Sequence, residues 1–234
     1  MQICEPRFLR FFIVLFFLFL IFLFTFAGMN DTKWSEHVIL VDAEYVDKVA
    51  FDMIVNFERM LERRIPQADM AQWLECVALD GGLRPMDRGE KPEVRGERNV
   101  QVILLHEKDK QQMDNFLPGK FSDLDGQAFT GPLGEFLISC VKVEEMVTKD
   151  DLFIDSLQII ANAAEVKRLM VVGDSDHIYN KVREALRKAD PDKHITVFTM
   201  QPMDSGNFRQ EILGYSLMAA LGIKSAELNA RGER

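Results

Sequence analysis

Apolar and polar positions alternate in blocks along most of the chain. The stretch "HVILVDAEYV" (37–46) opens with a β-branched apolar run that stops at a carboxylate, which predicts a buried strand. "DKVAFDMIVNFERMLERR" (47–64) follows with Val49, Met53, Phe57, Met60 and Leu61 at helical spacing. Pro66 opens a second helical block, "QADMAQWLECVAL", which ends at Gly81-Gly82. Leu83 to Arg98, rich in Arg, Glu, Pro and Gly, predicts a surface loop.

A second buried strand, "NVQVILLHEKD", precedes a polar passage from Lys108 to Gly134, and "EFLISCVKVE" gives a third. The amphipathic helix "DDLFIDSLQIIANAAEV" leads into a fourth strand, "RLMVVGDSD". The helix "IYNKVREALRKA", the strand "HITVFTMQP" and a helix from Phe208 to Leu221 complete the pattern. Near-continuously apolar strands separated by helices predict an α/β fold: a mainly parallel central sheet with helices on both faces, a Rossmann-like three-layer sandwich.

A chain of 234 residues with 47% hydrophobic content is sufficient for one such domain. Its three cysteines, Cys4, Cys76 and Cys140, lack CxxC spacing, so neither a disulfide framework nor a structural zinc site is indicated. The net charge of -9 means that nucleic-acid binding would require a local basic patch.

The N-terminus differs from the rest. Residues 11–28, "FFIVLFFLFLIFLFTFAG", form an uncharged run of 18 residues preceded by Arg7 and Arg10, with small residues at Thr25 and Ala27. Two readings stand side by side. The run is a secretory signal or membrane anchor, placing the domain at the membrane or outside the cell. Alternatively, translation starts at Met29 and the protein is cytoplasmic. The expected organisation is 1–28 hydrophobic segment, 29–36 lead-in, 37–224 α/β domain and 225–234 polar tail.

In parallel sheets, ligands bind at the carboxyl ends of the strands. The first strand ends at Asp42, the fourth at Asp174 and Asp176, and the helix before the fourth begins with Asp150 and Asp151. If the first and fourth strands are neighbours, these carboxylates converge. Like charges at short range require a shared proton or cation, and hard oxygen ligands suit Mg²⁺ or Mn²⁺.

The segments "ILVDAEYV", "TKDDLFIDSL" and "LMVVGDSDHIYNKVREALRK" resemble, in order and strand position, the three acidic motifs of NYN-domain proteins, a branch of the PIN-like ribonuclease superfamily. The resemblance spans about residues 37 to 200. It implies a Mg²⁺-dependent endoribonuclease with Asp42, Asp151 and Asp174 or Asp176 as metal ligands and Asp150 assisting. In that chemistry the bound metal activates a water for in-line attack on an RNA phosphodiester.

Tyr45 departs from the family pattern, in which an asparagine is usual, and His177 stands where a phenylalanine is common. These departures imply an alternative: a PIN-like domain that has lost cutting activity and serves as an RNA-, nucleotide- or protein-binding adaptor. Each carboxylate also has a purely structural reading. Asp176 is placed to cap the helix after it. Asp150 and Asp151 would be first-turn acids complementing a helix dipole, and Asp42 would begin a turn. The basic runs Arg59, Arg63, Arg64 and Lys181, Arg183, Arg187, Lys188 either flank the cleft to hold phosphates or form solvated helix faces. His106, His177 and Tyr45 are candidate substrate contacts whose ordinary role would be packing.

Overall fold

In the computed structural model of the protein, the described residues are 33–85, 98–224 and 226–228. The hydrophobic run 11–28, the alternative start at Met29, most of the Arg/Glu/Gly-rich loop and the end of the polar tail lie outside them. The chain divides into residues 1–34 and 35–234, and every element below belongs to the second unit. Among the described residues, no helix is long and apolar enough to cross a membrane.

The elements run β1 (His37–Asp42), α1 (Ala43–Leu61), β2 (Ala68–Asp69), α2 (Met70–Asp80), β3 (Asn99–His106), β4 (Phe116–Leu117) and α3 (Phe121–Leu124). They continue through β5 (Ala128–Gly131), β6 (Gly134–Lys142), α4 (Lys149–Asn162), β7 (Arg168–Val172), α5 (Tyr179–Leu186), β8 (His194–Thr199), β9 (Arg209–Ile212) and α6 (Leu213–Ala220). A seven-stranded sheet has the order β5-β6-β3-β1-β7-β8-β9, and only β5 is antiparallel to its neighbour. β2 and β4 form a separate two-stranded pair.

Strand periodicity explains the layers. Ile39, Val41, Val102, Leu104, Met170 and Val172 face one side and join a core built with α1, α2 and α6. The alternate residues Val38, Leu40, Ile103, Leu105, Leu169 and Val171 are equally buried on the other side, where α4 packs on β1, β3 and β7. Phe153, Leu157 and Ile160 of α4 are fully buried, each worth about 1.5–3 kcal/mol in transfer from water. Gly173, the residue after β7, has no room for a side chain against that packing: a Cβ there would stand 2.7 Å from the Phe153 ring.

Several elements differ from the sequence pattern. α1 begins at Ala43, directly after β1, because Asp42 caps it; "AEYV" is therefore helical. The second helix begins at Met70 and not at Pro66, with Asp69 accepting from the Gln72 N–H at 2.8 Å. The polar passage contains β4, α3 and β5, each too short to show a period; Phe129 of β5 stacks on its β6 partner Phe136 with centroids 4.7 Å apart. Arg209–Ile212 is the edge strand β9, and the final helix starts only at Leu213.

Candidate functional site

Counting the strands from β1 outward, the sheet reverses direction between β1 and β7: β3 and β6 lie to one side, β8 and β9 to the other. Such a switch point opens a crevice beyond the strand ends and is the usual ligand position in doubly wound sheets. The first and fourth strands of the sequence pattern are thus neighbours, with Val41 paired to Val172. Asp42 and Gly173-Asp174 continue from these paired residues, so both acidic segments reach the same crevice.

Asp42 is buried, and its Oδ1 accepts the Tyr45 N–H at 3.0 Å as the N-cap of α1. The same oxygen receives Lys149 Nζ at 2.7 Å. Lys149, the first residue of α4, also donates to Glu44 Oε2 at 3.1 Å. Burial pushes the Asp42 carboxyl above its usual range, against the pull of Lys149 and the Tyr45 N–H. Burial works against the Lys149 ammonium too, but Asp42 and then Glu44 outweigh it and hold its pKa above the ordinary lysine value. The other Glu44 oxygen accepts the Glu107 N–H at 2.9 Å, tying the end of β3 to the same cluster.

Across the crevice, the Tyr45 hydroxyl and Ser175 Oγ are 3.0 Å apart and buried, a bridge between the exits of β1 and β7. Burial, with Asp176 and Asp174 nearby, raises the Tyr45 phenol. The residue that departs from the family pattern therefore packs against the acidic segment expected to hold a metal.

Asp174 organises the turn after β7. One carboxylate oxygen accepts the N–H groups of Asp176 at 3.0 Å and His177 at 3.3 Å, and the other meets His177 Nδ1 at 2.7 Å. The hydrogen bond to Asp174 raises the pKa of the exposed His177 imidazole. Asp176 is exposed and does not cap α5, whose N-cap is Ile178 without a side-chain bond. Asp150 is half-buried in the first turn of α4. Asp151 is exposed; its carboxylate accepts the Thr148 hydroxyl at 2.7 Å while Thr148 Oγ1, the N-cap, accepts its N–H at 3.2 Å. Lys181 lies 3.6 Å from its carboxylate.

The structure thus joins Asp42 to Glu44 through Lys149 and places Asp174 and Asp176 beside Tyr45, while Asp150 and Asp151 serve the start of α4. Among the described residues, no three His, Cys, Asp or Glu side chains are grouped to hold a metal ion. At the end of β1, Asp42 Oδ1 accepts two hydrogen bonds and each Glu44 oxygen has a partner.

Sequence reasoning missed Lys149, Glu44 and Ser175. Lys149 carried a signal, because a cation at the first position of a helix opposes the dipole and calls for a carboxylate partner. His106 is a packing residue, stacked on Phe121 with centroids 4.0 Å apart. Arg63, Arg64, Arg183 and Arg187 pair with Glu227, Glu58, Asp204 and Glu184.

Beside the crevice lies a groove of about 440 Å³ lined by residues including Glu44, Asp47, Lys48, Phe51, Met113 and Phe121. Phe51 is half-exposed, and Asp47 fixes the opposite wall by accepting the Asn115 N–H at 2.8 Å. No curated protein and no solved structure matches the chain. A family match does run over residues 31–228, almost the whole α/β unit, and by it the chain belongs to DUF6621, a family of unknown function.

Proposed function

We propose that the protein is a PIN-like α/β domain that acts as a non-catalytic binding module, with its switch-point crevice closed from within. The supporting observation is Lys149: its ammonium lies 2.7 Å from Asp42 and 3.1 Å from Glu44, where a nuclease of this type would need free carboxylate oxygens for Mg²⁺ or Mn²⁺. An internal cation neutralises the cluster without offering open positions for water or phosphate. The binding surface is the neighbouring groove, and a protein segment is the favoured partner. Phe51 offers an exposed aromatic anchor there, whereas the net charge of -9 and the paired arginines disfavour RNA.

The test combines cleavage and binding. The full chain is incubated with single-stranded RNA in millimolar Mg²⁺ or Mn²⁺, and RNA affinity is measured by fluorescence anisotropy at two salt concentrations. The expected result is no cleavage and only weak, salt-sensitive binding. Metal-dependent cleavage that disappears in Asp42→Asn and Asp174→Asn would establish the nuclease and remove the proposal. Tight RNA binding without cleavage would keep the module and replace its partner.

A further inference from the structure

At the amino-terminal end of the sheet, opposite the crevice, three guanidinium groups converge on one turn. Arg168, which begins β7, donates from Nη1 to the Gly81 carbonyl at 2.6 Å. Arg84 donates from Nη1 to the Leu83 and Leu79 carbonyls at 3.0 and 3.3 Å. Arg98 donates from Nη1 to the Arg84 and Leu133 carbonyls at 2.6 and 3.4 Å. The Arg168 guanidinium lies against Gly82, where φ is 92° and a Cβ would stand 2.7 Å from Nη1.

Capping the carboxyl end of α2 accounts for the Nη1 contacts at Leu79 and Gly81. It leaves much unexplained. A guanidinium has five N–H donors, and among the described residues Nε and Nη2 of all three arginines have no hydrogen-bond partner. None of the three pairs with a carboxylate there either. His37 begins β1 in register with Arg168, and among the described residues its buried Nδ1 has no hydrogen-bond partner. Burial first, then Arg84, Arg209 and Arg98, lower the Arg168 pKa. Burial first, then Arg98 and Arg168, lower that of His37. Concentrated like charge with unused donors is the arrangement an oxyanion relieves.

We infer that Arg84, Arg98 and Arg168 form a binding site for a small phosphate, with His37 at its margin. Three guanidiniums present donors in the planar forks that match phosphate oxygens. The site lies at the other end of the strands from the crevice, so it stands or falls independently of the binding-module proposal.

The test is thermal melting and calorimetric titration of the full chain with inorganic phosphate, pyrophosphate and AMP, against chloride at matched ionic strength. The expected result is a saturable phosphate-specific rise in Tm, with affinity lowered about tenfold or more in Arg84→Gln and in Arg98→Gln, the loss of one charge-assisted bond. Arg84 is exposed, so its variant keeps the fold if Arg98→Gln does not. Tighter binding of AMP than of inorganic phosphate identifies an organic phosphate as the ligand; equal binding identifies the free anion. A Tm indifferent to phosphate, or a rise unchanged in both variants, overturns the site.

Discussion

Lys149 Nζ lies 2.7 Å from Asp42 Oδ1, joining the first residue of α4 to the last residue of β1. The Asp42 side chain is 2% exposed and that of Lys149 15%, so water screens the pair little. Removing one partner leaves the other as a buried, unmatched charge. Lys149→Met should therefore cost about 3–5 kcal/mol in chemical denaturation, and the double variant Asp42→Asn/Lys149→Met should recover most of it, since Asn still caps α1. Equal stability of Lys149→Met and the double variant would show that loss of the ammonium does not leave Asp42 as an unmatched buried charge.

The same pair sets a stability limit at alkaline pH. The folded-state pKa of Lys149 is raised above 10.5, so its contribution is complete below the unfolded value and is lost as pH rises through the folded one. Asp42 is also raised, and its burial is therefore least unfavourable in acid. Wild type should lose stability above about pH 10.5 more steeply than Asp42→Asn/Lys149→Met, as followed by urea denaturation from pH 8 to 11. Parallel curves would mean that Lys149 does not titrate with folding.

The large parallel strands were legible because their apolar runs are buried on both faces, leaving Asp42 and Gly173-Asp174 as abrupt stops. The adjacency of β1 and β7 followed as a condition and holds in the register of Val41 with Val172. β2, β4, β5 and β9 were not legible: their two to four residues show no period, and long-range partners such as Phe136 decide them. The site was half legible. Its carboxylates stand at the expected strand ends, but a pattern of acids does not say which cation answers them, and here the lysine just before Asp150 does so for Asp42. Asp176 looked like a cap from its place ahead of a helix, yet Asp174 makes the bonds because the intervening residues turn before α5 begins.

The hydroxyl of Tyr45 and that of Ser175 hold the two strand exits together at 3.0 Å. Tyr45→Phe and Ser175→Ala should each cost about 1 kcal/mol, within the range for a buried hydrogen bond whose partner is left unsatisfied, and the double variant should cost less than their sum. Strict additivity in a double-mutant cycle would show that the two groups do not interact.

His177 reports on the turn after β7. Its raised pKa comes from the Asp174 carboxylate 2.7 Å away, so a histidine-detected NMR titration should place its midpoint above 6.5 in the wild type. Asp174→Asn should move that midpoint back down. By linkage, the contact favours the folded state below the unfolded pKa and fades as pH rises through the folded one. An unchanged midpoint in Asp174→Asn would remove the contact from solution.

If Lys149 stands in for a metal ion, taking it away should create a need for one. Lys149→Ser leaves Asp42 and Glu44 facing each other without their ammonium, with space for a small hydrated cation that accepts hard oxygen ligands. The variant should be less stable than wild type in metal-free buffer and should regain stability in millimolar Mn²⁺ or Mg²⁺, by about 2.7 kcal/mol at a hundredfold excess over the dissociation constant. Wild type should show no such gain, because the Lys149 ammonium already neutralises the pair, and Asp42 Oδ1 and both Glu44 oxygens are engaged. The control is Asp42→Asn/Lys149→Ser, which removes one of the two charges and should lose the metal response while keeping the cap on α1. Differential scanning calorimetry of the three proteins with and without metal decides the matter. Metal stabilisation of wild type equal to that of Lys149→Ser would mean that the ammonium does not occupy the cation's place, and the crevice would have to be considered open to a catalytic ion.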